Sequence, residues 1–453
     1  MNIKQIYSPI LIGIISTAIC FNFGFLTTVF SYSGLKFFYA YIIFSILICY
    51  PINLIAFYIS KLHPEINTHS SLTKYIVGSS KFRSISVLFT GILIILLTLI
   101  LFTISVYLSD FIRSIYTITF TNTLDNNTNL TLISLGIVFI YISILFILSL
   151  LRVEIYIKSF FKFLAFVSLV LVIVTVLIIR YTSPHSLIEF KNFNAPYSQT
   201  NTLSSMLLMA LVYAILSNFI SLAFYKNILT NLNTSFNNLR TISFSSMFYN
   251  ILFSLLICMT IYTTLGNYSI FLQSMDEVPL VTIFSLIKQN SFTVYTLLEV
   301  TFILFNLITV ISALVYITKI TNKFYIKVAI SIIPLLITIS LILQGAAHVS
   351  FSKMFALHLI IIFIFLFDIF IISWIYDAQK LSYEILKNTN IKLSPIFNIS
   401  LRIIIPFICI YIIVGYIFLC KSVILQILIA VICMIIYIST GIISNKVFNK
   451  RKF

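Results

Sequence analysis

Apolar residues in this chain run in long, unbroken stretches separated by short polar ones. Neither the strict alternation of a half-buried strand nor the one-sided stripe of a soluble helix dominates the pattern. A helix apolar on all sides needs an apolar solvent, and about 20 such residues cross a bilayer core of ~30 Å. The runs predict twelve membrane-spanning helices, at 8–30, 37–61, 85–113, 131–151, 158–181, 203–229, 240–265, 291–320, 326–344, 352–376, 400–420 and 422–444. A transmembrane β-barrel is excluded, because its strands alternate residue by residue. The longest stretches between spans are 62–84, 182–202, 266–290 and 377–399, so no soluble domain is attached. The expected class is an all-α polytopic membrane protein, with 1–453 as a single domain.

Composition agrees. Sixty per cent of the 453 residues are hydrophobic and 9 per cent are charged, against about 25 per cent charged in soluble domains. A soluble globular protein and a disordered chain are both excluded. The net charge of +17 would point to nucleic acid if it formed a patch. It does not. With the N-terminus inside, Lys36, Arg113, Arg180, Lys191, Lys288, Lys353 and Lys421 fall outside, and the other 21 of the 28 basic residues fall inside. This bias places both termini in the cytoplasm, and no nucleic-acid partner is expected. The first apolar run lacks a small-residue cleavage site and reads as a span, not a signal peptide. The six cysteines all lie in apolar runs without a CxxC pair, so neither a metal site nor a disulfide framework is implied. No HExxH, GxSxG or paired aspartates occur in the spans, which disfavours an enzyme.

Three segments carry a family resemblance. Ser31–Pro51 reads SYSGLKFFYAYIIFSILICYP, with Gly34, Phe37, Tyr41 and Pro51 in place for an "AF-x-x-PY" run ending in "GIP". Val278–Ser312 matches an outer loop with a short helix, followed by a span with an "LTSS" motif. Ser373–Pro406 matches a "W-x-[FY]-G-x-[DE]" exit from helix 10 and the start of helix 11, with Trp374, Glu384, Lys392, Pro395, Arg402 and Pro406 in register. In this order and at this spacing they resemble the neurotransmitter:sodium symporter family, including its bacterial amino-acid transporters. The resemblance implies a 5+5 inverted repeat (8–181 and 203–376) with two extra helices at 400–444. It also implies that helices 1 and 6 break near the midplane, so that their half-helix ends hold substrate and sodium.

Residue by residue, Asn22, Asn250 and Thr309 match sodium-ligand positions, and Ser312 lies one turn on from Thr309. Amide and hydroxyl oxygens are suitable hard donors for a small cation. Ser217 matches the serine of the helix 6 break, where Asn218 and Phe219 follow in place of leucine and glycine. Phe21, Phe23 and Phe219 would line or gate an apolar substrate pocket. Na+ is the expected coupled ion, and no organic cofactor is implied. Glu299 and Asp368 are carboxylates within spans; such residues are expensive there and mark candidate functional sites.

The pattern also departs from the family. The two glycines before Asn22 are replaced, and the arginine and proline after it are missing. Lys353 stands where the acidic partner of that arginine is expected. Two functions from different classes follow. One is a secondary transporter of a small amino-acid-like solute. The other is a transport-deficient homologue that keeps the fold for a binding, regulatory or assembly role.

Overall fold

A computed structural model describes residues 3–22, 24–32, 34–62, 136, 154–182, 203–217, 239–265, 280–320, six positions between 332 and 340, 355–389 and 392–419. The predicted spans at 85–113 and 422–444 lie outside the described residues, and those at 131–151 and 326–344 lie almost wholly outside them. Every described element is helical. Four of them are long and apolar enough to cross a membrane: Leu35–Ile55, Leu239–Leu265, Phe292–Thr309 and Pro395–Gly415.

The first predicted span is two helices. Helix α1 (Ile3–Asn22) gives way to α2 (Phe25–Ser31) with a bend of 64°. Gly24 makes the turn with a φ of 81°, a conformation open to glycine because it has no Cβ. Its N–H donates to the Phe21 carbonyl, and its own carbonyl accepts from the Thr27 and Thr28 hydroxyls. Both backbone groups of Gly24 are thus satisfied inside the protein, as an apolar surrounding requires. Gly34, with a φ of 48°, starts the next rod. That rod is α3 (Leu35–Phe44), a π-turn at Ser45–Cys49, and α4 (Tyr50–Leu62).

The remaining helices are α5 (Glu154–Thr182), α6 (Leu203–Ile215), α7 (Leu239–Leu265), α8 (Leu280–Asn290), α9 (Phe292–Ile320), α10 (Phe355–Phe370), α11 (Ala378–Thr389), α12 (Pro395–Ile399) and α13 (Ile405–Leu419). Further π-turns at Ile371–Ile375 and Ser400–Ile404 continue α10 and precede α13. Helices α1, α5, α7 and α9 form one packed group, and α3, α6, α10 and α13 form another, with α4 lying against α7.

Large apolar side chains also face outward. Phe163, Phe166, Val170, Ile173 and Leu177 make an exposed stripe along α5, and Tyr39, Ile43, Ile46 and Leu47 expose another on α3 and its π-turn. Exposed apolar patches of this extent are rare on soluble monomers. Long apolar helices with greasy outer faces are what a chain embedded in a membrane requires.

Candidate functional site

Helices α1 and α7 cross in close contact. Gly13 allows it: a Cβ there would stand 2.6 Å from the Tyr249 Cβ and 3.0 Å from the Asn250 nitrogen. One turn on, Thr17 reaches Asn250. Its hydroxyl lies 2.9 Å from the Gly13 carbonyl and 3.2 Å from Asn250 Oδ1.

From Asn250 a hydrogen-bonded chain runs through the core. Asn250 Nδ2 donates to the Tyr41 hydroxyl at 2.9 Å, and Tyr41 donates to Ser217 Oγ at 3.2 Å. Ser217 in turn donates to the Ala214 carbonyl at 3.0 Å. The side chains of Thr17, Asn250, Tyr41 and Ser217 are all fully buried. The chain links α1, α7, α3 and the end of α6. An unpaired polar group in such a place is costly, so satisfied partners hold these four elements in one arrangement. Cys20 lies beside it, its thiol 3.4 Å from the Tyr213 carbonyl. Tyr213 in turn pairs its hydroxyl with Thr28 of α2 at 2.9 Å.

Aromatic rings close around the break. Phe25, just past it, has ring contacts with Phe37, Phe38, Tyr41 and Tyr213 at centroid distances of 5.0–6.2 Å. Phe21, just before it, meets Phe25 at 5.5 Å and Phe302 and Phe305 of α9 at 6.3 and 6.1 Å. The end of α1 is therefore walled by α9 on one side and by α3 and α6 on the other.

The expected site residues do not all converge. Ser217 and Asn250 come together through Tyr41. Phe21 is part of the aromatic wall. Thr309 is buried on α9 and donates to the Phe305 carbonyl of its own helix at 2.9 Å. Asn22 is the last residue of α1, and Ser312 lies within α9. The side chains of Asn22, Ser312 and Asp368, and the whole of Phe23, Asn218, Phe219 and Lys353, lie outside the described residues. Helix α6 ends at Ile215 and passes into π-type bonding at 216–217. Glu299 is buried on α9, 2 % exposed.

Several members of the chain carry no distinct mark in the sequence. Tyr41 is there only one of the residues of family resemblance, although it is the hub of the chain. Thr17, Cys20 and Tyr213 are inconspicuous among their neighbours. A signal is present on α7, where Ser243, Ser246, Asn250 and Ser254 recur at three- and four-residue spacing and form one buried face. Ser254, one turn beyond Asn250, is fully buried, and its hydroxyl has no hydrogen-bond partner among the described residues. Among the described residues no group of three or more His, Cys, Asp or Glu side chains is placed to hold a metal ion.

The arrangement offers a broken helix, neutral oxygen donors and an apolar aromatic wall. It can orient a small solute or a monovalent cation; among the described residues it holds no nucleophile–base pair. No known family model matches the chain, and no curated protein is significantly similar to it.

Proposed function

We propose that this protein is a secondary active transporter of the kind its sequence resembles, the sodium-coupled amino-acid symporters. It moves a small amino-acid-like solute by alternating access, with sodium as the co-transported ion. In this reading the chain has twelve spans, cytoplasmic termini and a 5+5 inverted repeat. The substrate lies between the ends of α1 and α6 and the facing side of α9. One observation carries the reading: α1 stops at Asn22 beside a buried polar chain, Thr17–Asn250–Tyr41–Ser217, in an otherwise apolar core. The end of a broken helix presents free backbone carbonyls, which attract cations. Amide and hydroxyl oxygens beside them suit a hard cation.

A specific observation supports the second reading, a homologue that keeps the fold without transport. The Thr17 hydroxyl lies within hydrogen-bonding distance of Asn250 Oδ1, so protein groups already supply that oxygen with a partner. Sodium would have to displace this contact.

Purified protein separates the two. A thermal midpoint that rises with Na+ but not with K+ or choline, and loses that rise in Asn250→Ala, supports coupled transport. Sodium-driven uptake of an amino-acid mixture into proteoliposomes then defines the solute. Equal midpoints in all three salts, with no uptake, leave the binding or assembly role.

A further inference from the structure

Helix α11 and the turn before it form a compact amphipathic unit. Ala378, Leu381 and Ile385 are buried at i, i+3 and i+7 and seat the helix. The opposite arc is exposed and carries Gln379, Lys380, Tyr383, Leu386 and Lys387, with Tyr383 at its centre. Trp374, the only tryptophan of the chain, stands at the π-turn just before α11 and is 48 % exposed.

The charges of this unit are not balanced at its surface. Asp377 is paired with Arg402 and caps α11 through the Gln379 N–H at 2.9 Å. Glu384 accepts from the Tyr376 hydroxyl at 2.6 Å and lies 4.0 Å from the Lys380 ammonium. Both carboxylates are thus occupied within the protein. Lys387 and Lys392 are exposed and have no acidic partner among the described residues.

The surface beside this unit turns largely apolar. Ile396, Ile399, Ile403, Phe407, Ile410 and Val414 are exposed at three- and four-residue spacing along α12 and α13. In a membrane-embedded chain such a stripe faces hydrocarbon. Arg402 is the last charged residue along it, so hydrocarbon gives way to headgroups on its Ile396–Arg402 side. Ser382 donates to Asn398 Oδ1 at 2.7 Å and Asp377 pairs with Arg402, which sets α11 beside that polar end, where aromatic rings and lysine ammonium groups meet lipid headgroups.

We propose that the outward face of α11, with Lys387 and Lys392, is a binding site for the headgroup of an anionic phospholipid. The partner's charge follows from the two unpaired ammonium groups. The bilayer, as opposed to a soluble anion, follows from continuity with the apolar stripe. The inference rests on the membrane-embedded reading and not on transport. The Arg402–Asp377 pair ties this face to the start of α13, so the lipid would brace the joint between α10 and α13.

The lone tryptophan reports directly. Full-length protein in detergent micelles is titrated with brominated phosphatidylglycerol or with brominated phosphatidylcholine of the same chains, and Trp374 fluorescence is followed. Phosphatidylglycerol should quench at several-fold lower mole fraction than phosphatidylcholine. The double variant Lys387→Gln, Lys392→Gln should remove that preference while retaining quenching by either lipid at high fraction. Equal quenching of the unaltered protein by both lipids overturns the proposal, as does a preference retained in the double variant or the absence of quenching by either lipid. A loss of sodium binding or uptake, by contrast, would bear on the transport reading alone.

Discussion

Asn250 of α7 donates a hydrogen bond of 2.9 Å to the hydroxyl of Tyr41 on α3, across 209 residues of chain. Both side chains are fully buried. Tyr41 passes the interaction on to Ser217, so one phenol joins the polar groups of two helices within the core.

Tyr41→Phe keeps the ring contacts with Phe25 and Phe38 but strands an Asn250 side-chain N–H, while the Ser217 hydroxyl keeps its bond to the Ala214 carbonyl. The expected loss is about 1–3 kcal/mol of stability for a buried group left unsatisfied. Asn250→Ala should cost a similar amount. The double variant should cost clearly less than the two losses added, because both remove the same link. Denaturation of the four proteins in one detergent checks this.

Gly13 is a point of close approach between α1 and α7. Gly13→Ala would force a methyl group into the Tyr249 Cβ and the Asn250 backbone, at an expected cost of about 1–3 kcal/mol. Gly415→Ala on α13 is the control. None of the described residues lies within 4 Å of its added methyl, and the change should stabilise by roughly 0.5–1 kcal/mol. Opposite shifts of the thermal midpoint are the expected result.

Gly24 turns the chain between α1 and α2 at a positive φ. Gly24→Ala should lose about 1–2 kcal/mol, because a Cβ crowds the following carbonyl in that conformation. Gly24→Asn should lose less, since asparagine tolerates the left-handed region better. If the two variants unfold at the same midpoint, the turn at Gly24 is not what they perturb.

Asp377 is a non-glycine residue with a positive φ of 79° that also pairs with Arg402 and caps α11. Asp377→Asn keeps an oxygen for the cap and the tolerance for this backbone. It should cost less than about 1 kcal/mol, the usual value of a partly exposed ion pair. Asp377→Ala loses cap, pair and backbone preference together and should cost more. The ranking of the two midpoints is the measurement.

Much of the helical layout is legible in the order of apolar runs. The predicted span 240–265 is α7, 158–181 is α5 and 291–320 is α9, each to within a few residues. Hydropathy alone shows no break in the first predicted span, 8–30, because Ile19, Cys20, Phe21 and Phe25 keep the run apolar across it; only the family resemblance implies one there. The candidate site is legible in part. Asn250 and Ser217 stand out as polar residues in greasy runs. Tyr41 does not, because tyrosine is frequent here, with 26 copies, and a phenol declares no partner from its place in the chain.

That this is a helical chain with surfaces suited to a membrane follows from the order of residues. The cause is local transfer free energy, summed over about 20 consecutive residues, and it requires no knowledge of neighbours. Which polar groups meet is a matter of packing in three dimensions. Thr17, Asn250, Tyr41 and Ser217 lie on four elements far apart in the chain. Their pairing depends on how closely α1 and α7 approach at Gly13 and where Gly24 turns the backbone. Those are distances between helices, and an apolar run of any composition leaves them open.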